Sequence, residues 1–209
     1  MSERAMHKDK GESRKPSNNQ PKLYESANHE KYVRSLYAPV LRLLEQIDFD
    51  SLLDVGCATG ELLSLLLQHK AVSASGIDVS EERISIAREQ LGTGVDLFVS
   101  LPEKVPCESN RFDAILCAGS FHYFPNPTKV LRELWRVIKH RGHLVIADVW
   151  VPSPVRQFLN LFRRLNPDGP IRIYSKVEIT DLLGRRGFYI ETWEYLERRG
   201  YLMSALAIK

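Results

Sequence analysis

From residue 28 onward, short apolar runs alternate with stretches of helical periodicity, the pattern of an α/β domain built around a mainly parallel sheet. Tyr32, Val33, Leu36 and Tyr37, then Val40, Leu41 and Leu44, predict two entry helices across 28–47, separated at Pro39. Ser51 to Val55 reads as a strand, followed by a glycine-containing turn and a leucine-rich helix from Glu61 to His69. Ala71 to Asp78 reads as a second strand. Ser80 is placed to cap the next helix, Glu81 and Glu82 lie at its positive end, and Ile84, Ala87 and Leu91 form its buried face.

Strands are expected at Val95 to Val99 and Phe112 to Cys117. Asn126-Pro127 opens a helix with Val130, Leu131, Leu134, Val137 and Ile138 on one stripe, and Gly142 is the expected left-handed exit before a strand from Leu144 to Val149. Ser175 and Glu178 have capping-box spacing ahead of Ile179, Leu182 and Leu183, with Gly187 closing the helix. Tyr189 to Leu196 and Tyr201 to Ile208 form a hairpin through Arg198-Arg199-Gly200. The second arm is apolar on both alternating faces, which predicts an interior strand.

The 209 residues, 44% of them hydrophobic and 26% charged, suffice for one core, so a single domain is expected and collagenous or wholly disordered classes are excluded. No window nears 18 consecutive apolar residues and no secretory leader follows the first basic residues, which predicts a cytoplasmic protein without a membrane span. Cys57, Cys107 and Cys117 form no C-x-x-C pair, so free thiols and no metal site are expected. The net charge of +3 resides in residues 1–22, which hold six basic and three acidic side chains and are read as a disordered basic tail. Residues 23–209 are read as the domain. A neutral body argues against a nucleic-acid partner.

Chemistry concentrates in Asp54-Val55-Gly56-Cys57-Ala58-Thr59-Gly60-Glu61. A dinucleotide fingerprint needs G-x-G-x-x-G and a pyrophosphate on the helix terminus, whereas Ala58 and Glu61 occupy the second and third glycine positions. Asp54 and Glu61 would repel phosphate and suit a ligand with cationic groups. Asp78, 18 residues after Gly60, stands at a spacing that suits ribose hydroxyls. A positively charged nucleoside satisfies both.

These motifs resemble the class I S-adenosylmethionine-dependent methyltransferases, in particular the type 11 group that methylates small molecules. Besides the glycine-rich turn, Gly76-Ile77-Asp78-Val79-Ser80 resembles the ribose-binding motif and Arg111-Phe112-Asp113-Ala114-Ile115 the fourth-strand motif. Leu131 to Lys139 is similar to the helix before strand five, and Arg186-Gly187-Phe188 to the turn before strand six. The resemblance implies a Rossmann-like, doubly wound seven-stranded sheet of order 3-2-1-4-5-7-6 with strand seven antiparallel. It implies S-adenosylmethionine as cofactor, with Asp54, Gly56, Ala58 and Gly60 at its methionine part, Asp78 on the ribose, Val79 and Leu101 beside the adenine, and Cys117 and Ala118 lining the site. Leu101 stands where relatives often carry an acid, and Ser120 to Tyr123 would face the methyl group.

Each assignment has a competing structural reading. Asp54 could serve only its turn, and Phe121-His122-Tyr123-Phe124 could be a pocket wall rather than the home of a general base, His122. Asp148, ending the fifth strand, is placed either to face the same crevice or to cap its turn. Arg156, Arg163, Arg164 and Arg172 around Asn166-Pro167-Asp168-Gly169-Pro170 read as a solvated basic face or as a selector of acidic substrates. Phe158, Leu161, Phe162 and Leu165 predict an amphipathic helix that covers an apolar pocket or docks a partner. Transfer to a small acidic or apolar acceptor is thus expected. Cys117-Ala118-Gly119-Ser120 replaces the Asn-Pro-Pro-Tyr of enzymes that methylate nucleobase nitrogens. A cofactor-binding protein without turnover and a nicotinamide oxidoreductase are the alternatives.

Overall fold

The structure is a computed structural model that describes residues 27–165, 172–197 and 200–209. The predicted tail, the 166–170 insert and the turn residues Arg198 and Arg199 lie outside them.

Seven strands form one sheet: β1 (Ser51–Val55), β2 (Ser73–Asp78), β3 (Val95–Val99), β4 (Phe112–Ala118), β5 (Ile138–Val149), β6 (Phe188–Leu196) and β7 (Gly200–Ala207), in the order β3-β2-β1-β4-β5-β7-β6. β7 runs antiparallel between β5 and β6, and the other neighbouring pairs are parallel. The predicted order and the interior position of the last strand are both present. Helices cover both faces: α1 (Ala27–Glu45), α2 (Glu61–His69) and α3 (Glu81–Leu91) on one, α4 (Pro127–Val137) and α6 (Lys176–Gly184) on the other. Alternation along the strands separates the cores. Leu52, Leu116 and Val145 pack with the first helix set, and Leu53, Ile115 and Ile146 with the second.

Two local expectations are corrected. Pro39 does not divide the entry segment: α1 runs through it, because Leu36, Val40 and Leu44 form one fully buried stripe that outweighs one lost backbone hydrogen bond. After α4, Arg141 rather than Gly142 takes the left-handed conformation, with φ 59°, and β5 begins at Ile138. Gly142 is required for closeness, since a Cβ there would sit 2.9 Å from the Asp113 carbonyl oxygen. The predicted caps are present: Ser80 and Asn126 accept backbone N–H groups, and Ser175 with Glu178 forms a full capping box. Leu91 is half-buried rather than buried.

Since β1, β2, β4 and β5 are parallel, their carboxyl ends bring Asp54, Asp78, Ala118 and Asp148 to one edge of the sheet, where open α/β folds bind ligands.

Candidate functional site

The turn between β1 and α2 is fastened to the end of β2. Gly56 and Cys57 donate backbone N–H groups to the Ile77 carbonyl at 2.8 and 3.1 Å, and Ala58 donates to Asp78 Oδ2 at 3.1 Å. Gly56 has φ 84°, and a Cβ there would lie 2.6 Å from that of Ser120, whose hydroxyl donates to the Val55 carbonyl at 2.7 Å. Only glycine meets both demands. Ala58 is left-handed too, at φ 48°, a conformation that costs an L-residue about 1 kcal/mol. Gly60 caps α2 without a side chain, which leaves the first turn of that helix open toward the crevice.

Two carboxylates flank this turn. Asp54 is 3% exposed and Asp78 6%. Burial, reinforced by the Asp78 carboxylate, raises the Asp54 carboxyl from its ordinary value near 3.8 to about 7, and no cationic group among the described residues offsets either cause. Asp78 is held by the Ala58 N–H on one oxygen and the Ser80 N–H, at 2.9 Å, on the other. This donor set fits S-adenosylmethionine: its positive charge would relieve the Asp54–Asp78 repulsion, and its ribose hydroxyls can donate to the remaining lone pairs of Asp78. Ser100 donates to the Asp78 carbonyl at 2.9 Å, which joins the ends of β2 and β3 and leaves Val79 and Leu101 beside them, 44% and 56% exposed. Apolar side chains so exposed suit the face of a purine. Ala118 stands at the edge, whereas Cys117 is fully buried in the core, where burial and then Asp54 and Asp148 keep its thiol protonated. Its side chain offers no surface to a ligand.

Across β4, His122 and Asp148 are brought together from 26 residues apart. The His122 Nδ1 pairs with Asp148 Oδ1, the His122 N–H donates to Oδ2 at 2.8 Å, and the Val149 N–H donates to Oδ1 at 2.6 Å. Both side chains are almost completely buried. The carboxylate keeps the Nδ1 proton, so Nε2 is the nitrogen left to accept one. Of the two readings of Asp148 the hydrogen bonds support the turn: the buried carboxylate ties the end of β5 to the His122 ring and backbone.

Sequence reasoning missed the contribution of α1. His29 lies with its ring centroid 6.3 Å from that of His122 and its Nδ1 3.4 Å from the Tyr123 hydroxyl. Burial, then the His122 charge, lowers its pKa. Tyr32, also on α1, has a buried hydroxyl without a hydrogen-bond partner among the described residues, and burial together with Asp148 holds it far above the usual tyrosine range. Neither residue stands in a recognisable motif; only the packing of α1 over β4 and β5 reveals them. No group of three or more His, Cys, Asp or Glu among the described residues forms a metal cluster. A separate groove bounded by Asn126, Arg172, Glu178 and Asp181 shares no residue with either acid site.

A doubly wound sheet of this order, with a glycine turn and paired acids at its carboxyl edge, defines the architecture of a class I methyltransferase. Residues 53–146, a little under half of the chain, match the family model described as "Methyltransferase domain". It is 33% identical over 119 residues to a demethylmenaquinone methyltransferase of Thermotoga maritima, covering 56% of this chain and 51% of that protein. It is 30% identical over 104 residues to a ubiquinone biosynthesis O-methyltransferase of Pseudomonas entomophila, covering 46% and 43%. The chain thus spans about half the length of the curated relatives it matches. Among solved structures it resembles in fold a SAM-dependent methyltransferase of Aquifex aeolicus, with a TM-score of 0.64 at 24% identity, over 90% of this chain and 94% of that one. It also resembles the 1,6-didemethyltoxoflavin-N1-methyltransferase of Burkholderia thailandensis, solved with S-adenosylhomocysteine, with a TM-score of 0.67 at 15% identity over 91% of each chain.

Proposed function

We propose that this protein binds S-adenosylmethionine at the Asp54–Asp78 turn and transfers its methyl group to a proton-bearing atom of a small, apolar acceptor, with His122 as general base. The observation that carries the cofactor half is the pair of buried carboxylates around a glycine turn with no offsetting cation among the described residues. When bound, the cofactor supplies a methyl group on a positively charged sulfur, already a good electrophile. What remains for the chain is alignment, exclusion of water and removal of one proton.

Asp78 and the Gly56 to Gly60 turn hold the nucleoside, Asp54 balances the ligand's positive charge, and Val79 and Leu101 bracket the purine. His122 Nε2 accepts the acceptor's proton while Asp148 keeps Nδ1 protonated and the ring fixed, and the imidazolium so formed is stabilised by that carboxylate. The aromatic surroundings, Tyr123 and His29, suit a planar acceptor. The names of the relatives, which refer to demethylmenaquinone and ubiquinone, support trying hydroxylated aromatic and quinol compounds as acceptors first.

The test is S-adenosylhomocysteine formation with a panel of naphthoquinols, catechols and other phenols. Acceptor-dependent product that His122→Gln suppresses, with cofactor affinity retained, is the expected result. Cofactor binding with no turnover on any member of the panel would favour the binding-protein reading instead.

A further inference from the structure

His29, Tyr32, Val33 and Leu36 follow the spacing of one helix face, and α1 lays that face on β4, β5 and β7. Two glycines let it come close. At the end of β4 a Cβ on Gly119 would stand 2.9 Å from a Val33 methyl carbon, and at the start of β7 a Cβ on Gly200 would stand 3.3 Å from the Tyr32 hydroxyl and 3.4 Å from Leu36 Cδ2.

The polar groups under this face differ in how they are satisfied. His122 is tied down by the protein: Asp148 takes its Nδ1 and its backbone N–H, and the Arg172 N–H donates to its carbonyl at 2.9 Å. Ile173, next to Arg172, is gripped in turn by Asn160 of α5 (Val155–Leu165), through hydrogen bonds of 2.8 and 3.0 Å. The Tyr32 hydroxyl is the exception. It is buried without a hydrogen-bond partner among the described residues, and burial and then the Asp148 carboxylate keep it protonated, so it is a donor. A buried donor left unpaired destabilises the fold, and phenylalanine would pack the same ring without that cost. The Cβ that Gly200 lacks would also stand 3.3 Å from the Asp148 carbonyl oxygen, so the missing methyl leaves a notch beside the hydroxyl.

Position separates this hydroxyl from the cofactor turn. β7 is three strands from β1, about 14 Å at the usual spacing of neighbouring strands. Gly200 instead pairs with Val149, the neighbour of Asp148, on the side of the proposed base. What completes Tyr32 there must offer a lone pair to a donor and be otherwise apolar, with the rings of His29, His122 and Tyr123 nearby. An oxygen on an aromatic ring does both. A bare hydrocarbon has no lone pair to offer.

We infer that the Tyr32 hydroxyl is an acceptor-binding group, which donates a hydrogen bond to an oxygen of the acceptor and so selects oxygen-bearing aromatic compounds over their deoxygenated counterparts. This deepens the proposed methyl transfer and rests on that reading for what the crevice holds. A site built around a buried donor rejects an analogue that lacks the oxygen, because the donor is then left unpaired again.

The experiment compares wild type and Tyr32→Phe, each saturated with S-adenosylhomocysteine, in calorimetric titrations with 2-naphthol and with naphthalene. Wild type should prefer 2-naphthol by about tenfold or more, and Tyr32→Phe should lose that preference while its affinities for naphthalene and for S-adenosylhomocysteine stay unchanged. The denaturation midpoint of ligand-free Tyr32→Phe should equal or exceed that of wild type, since the hydroxyl removed has no partner there. A lower midpoint would place the partner within the protein and overturn the inference. So would a preference for 2-naphthol that survives the substitution, or a loaded wild type that binds both probes alike or neither. Failure of wild type to bind S-adenosylhomocysteine at all would overturn the cofactor assignment, and this inference with it.

Discussion

Two buried acid sites share the carboxyl edge of this sheet, and they differ in what completes them. At β4 and β5, Asp148 accepts hydrogen bonds from the His122 ring, the His122 N–H and the Val149 N–H, so its oxygens are satisfied from within the fold. At β1 and β2, Asp54 faces Asp78 with no cation among the described residues, and its carboxyl is pushed to about 7. One site is finished by folding. The other holds two carboxylates with no cation among the described residues, the arrangement that the proposed cofactor would complete. In the proposed function the same contrast separates residues that would hold the cofactor from residues that would remove the acceptor's proton.

The largest expected effect breaks the finished site. His122→Gln should lower the rate of methyl transfer by about a hundredfold to ten-thousandfold, and Asp148→Asn by about a hundredfold, with S-adenosylhomocysteine affinity within about twofold of wild type in calorimetry. Equal loss of affinity in either variant would mean that the dyad supports the cofactor instead.

Next comes the unfinished site. Asp54→Asn should weaken S-adenosylmethionine binding by about tenfold to a hundredfold, as loss of a charged partner does. It should also stabilise the ligand-free protein at high pH. A carboxyl whose folded pKa is raised favours folding fully below its unfolded value, and that contribution is lost as pH rises through the folded value. Wild-type stability should therefore fall between pH about 4 and about 7, whereas Asp54→Asn should not show that fall. The gap should reach on the order of 2–4 kcal/mol by pH 8, read from denaturant midpoints.

Smaller effects test the turn itself. Gly56→Ala adds a Cβ 2.6 Å from that of Ser120 at a left-handed φ and should cost about 2–3 kcal/mol in chemical denaturation. Ala58→Gly should change stability by about 0.5 kcal/mol or less, because relief of its left-handed strain is offset by the freedom glycine gains when unfolded.

The strands were legible because each apolar run is short and bounded, and β7 betrayed its interior place by being apolar on both faces. The seven-strand order came from the family resemblance, since periodicity does not say which strands pair. Pro39 misled because a local rule about a missing N–H cannot weigh the burial of Leu36, Val40 and Leu44. The acids of the cofactor side were visible because one βαβ unit holds them within 25 residues, with glycines between. The acceptor side was only half visible: His122 and Asp148 meet through the parallel pairing of β4 and β5, and His29 and Tyr32 arrive with a helix from elsewhere in the chain. The amphipathic pattern of 155–165 was plain, but the bonds by which Asn160 holds Ile173 are contacts no periodicity encodes.

The central claim is that the Asp54–Asp78 turn is completed by a positively charged nucleoside. Calorimetric titration of wild type and Asp54→Asn with S-adenosylmethionine and with the uncharged-sulfur product S-adenosylhomocysteine, at pH 6 and pH 8, tests it most directly. The account predicts that wild type binds both ligands and that its preference for the sulfonium form is stronger at pH 8, where Asp54 is ionised, and is lost in Asp54→Asn. A well-folded wild type that binds neither ligand, or a variant that binds both as wild type does, would contradict it.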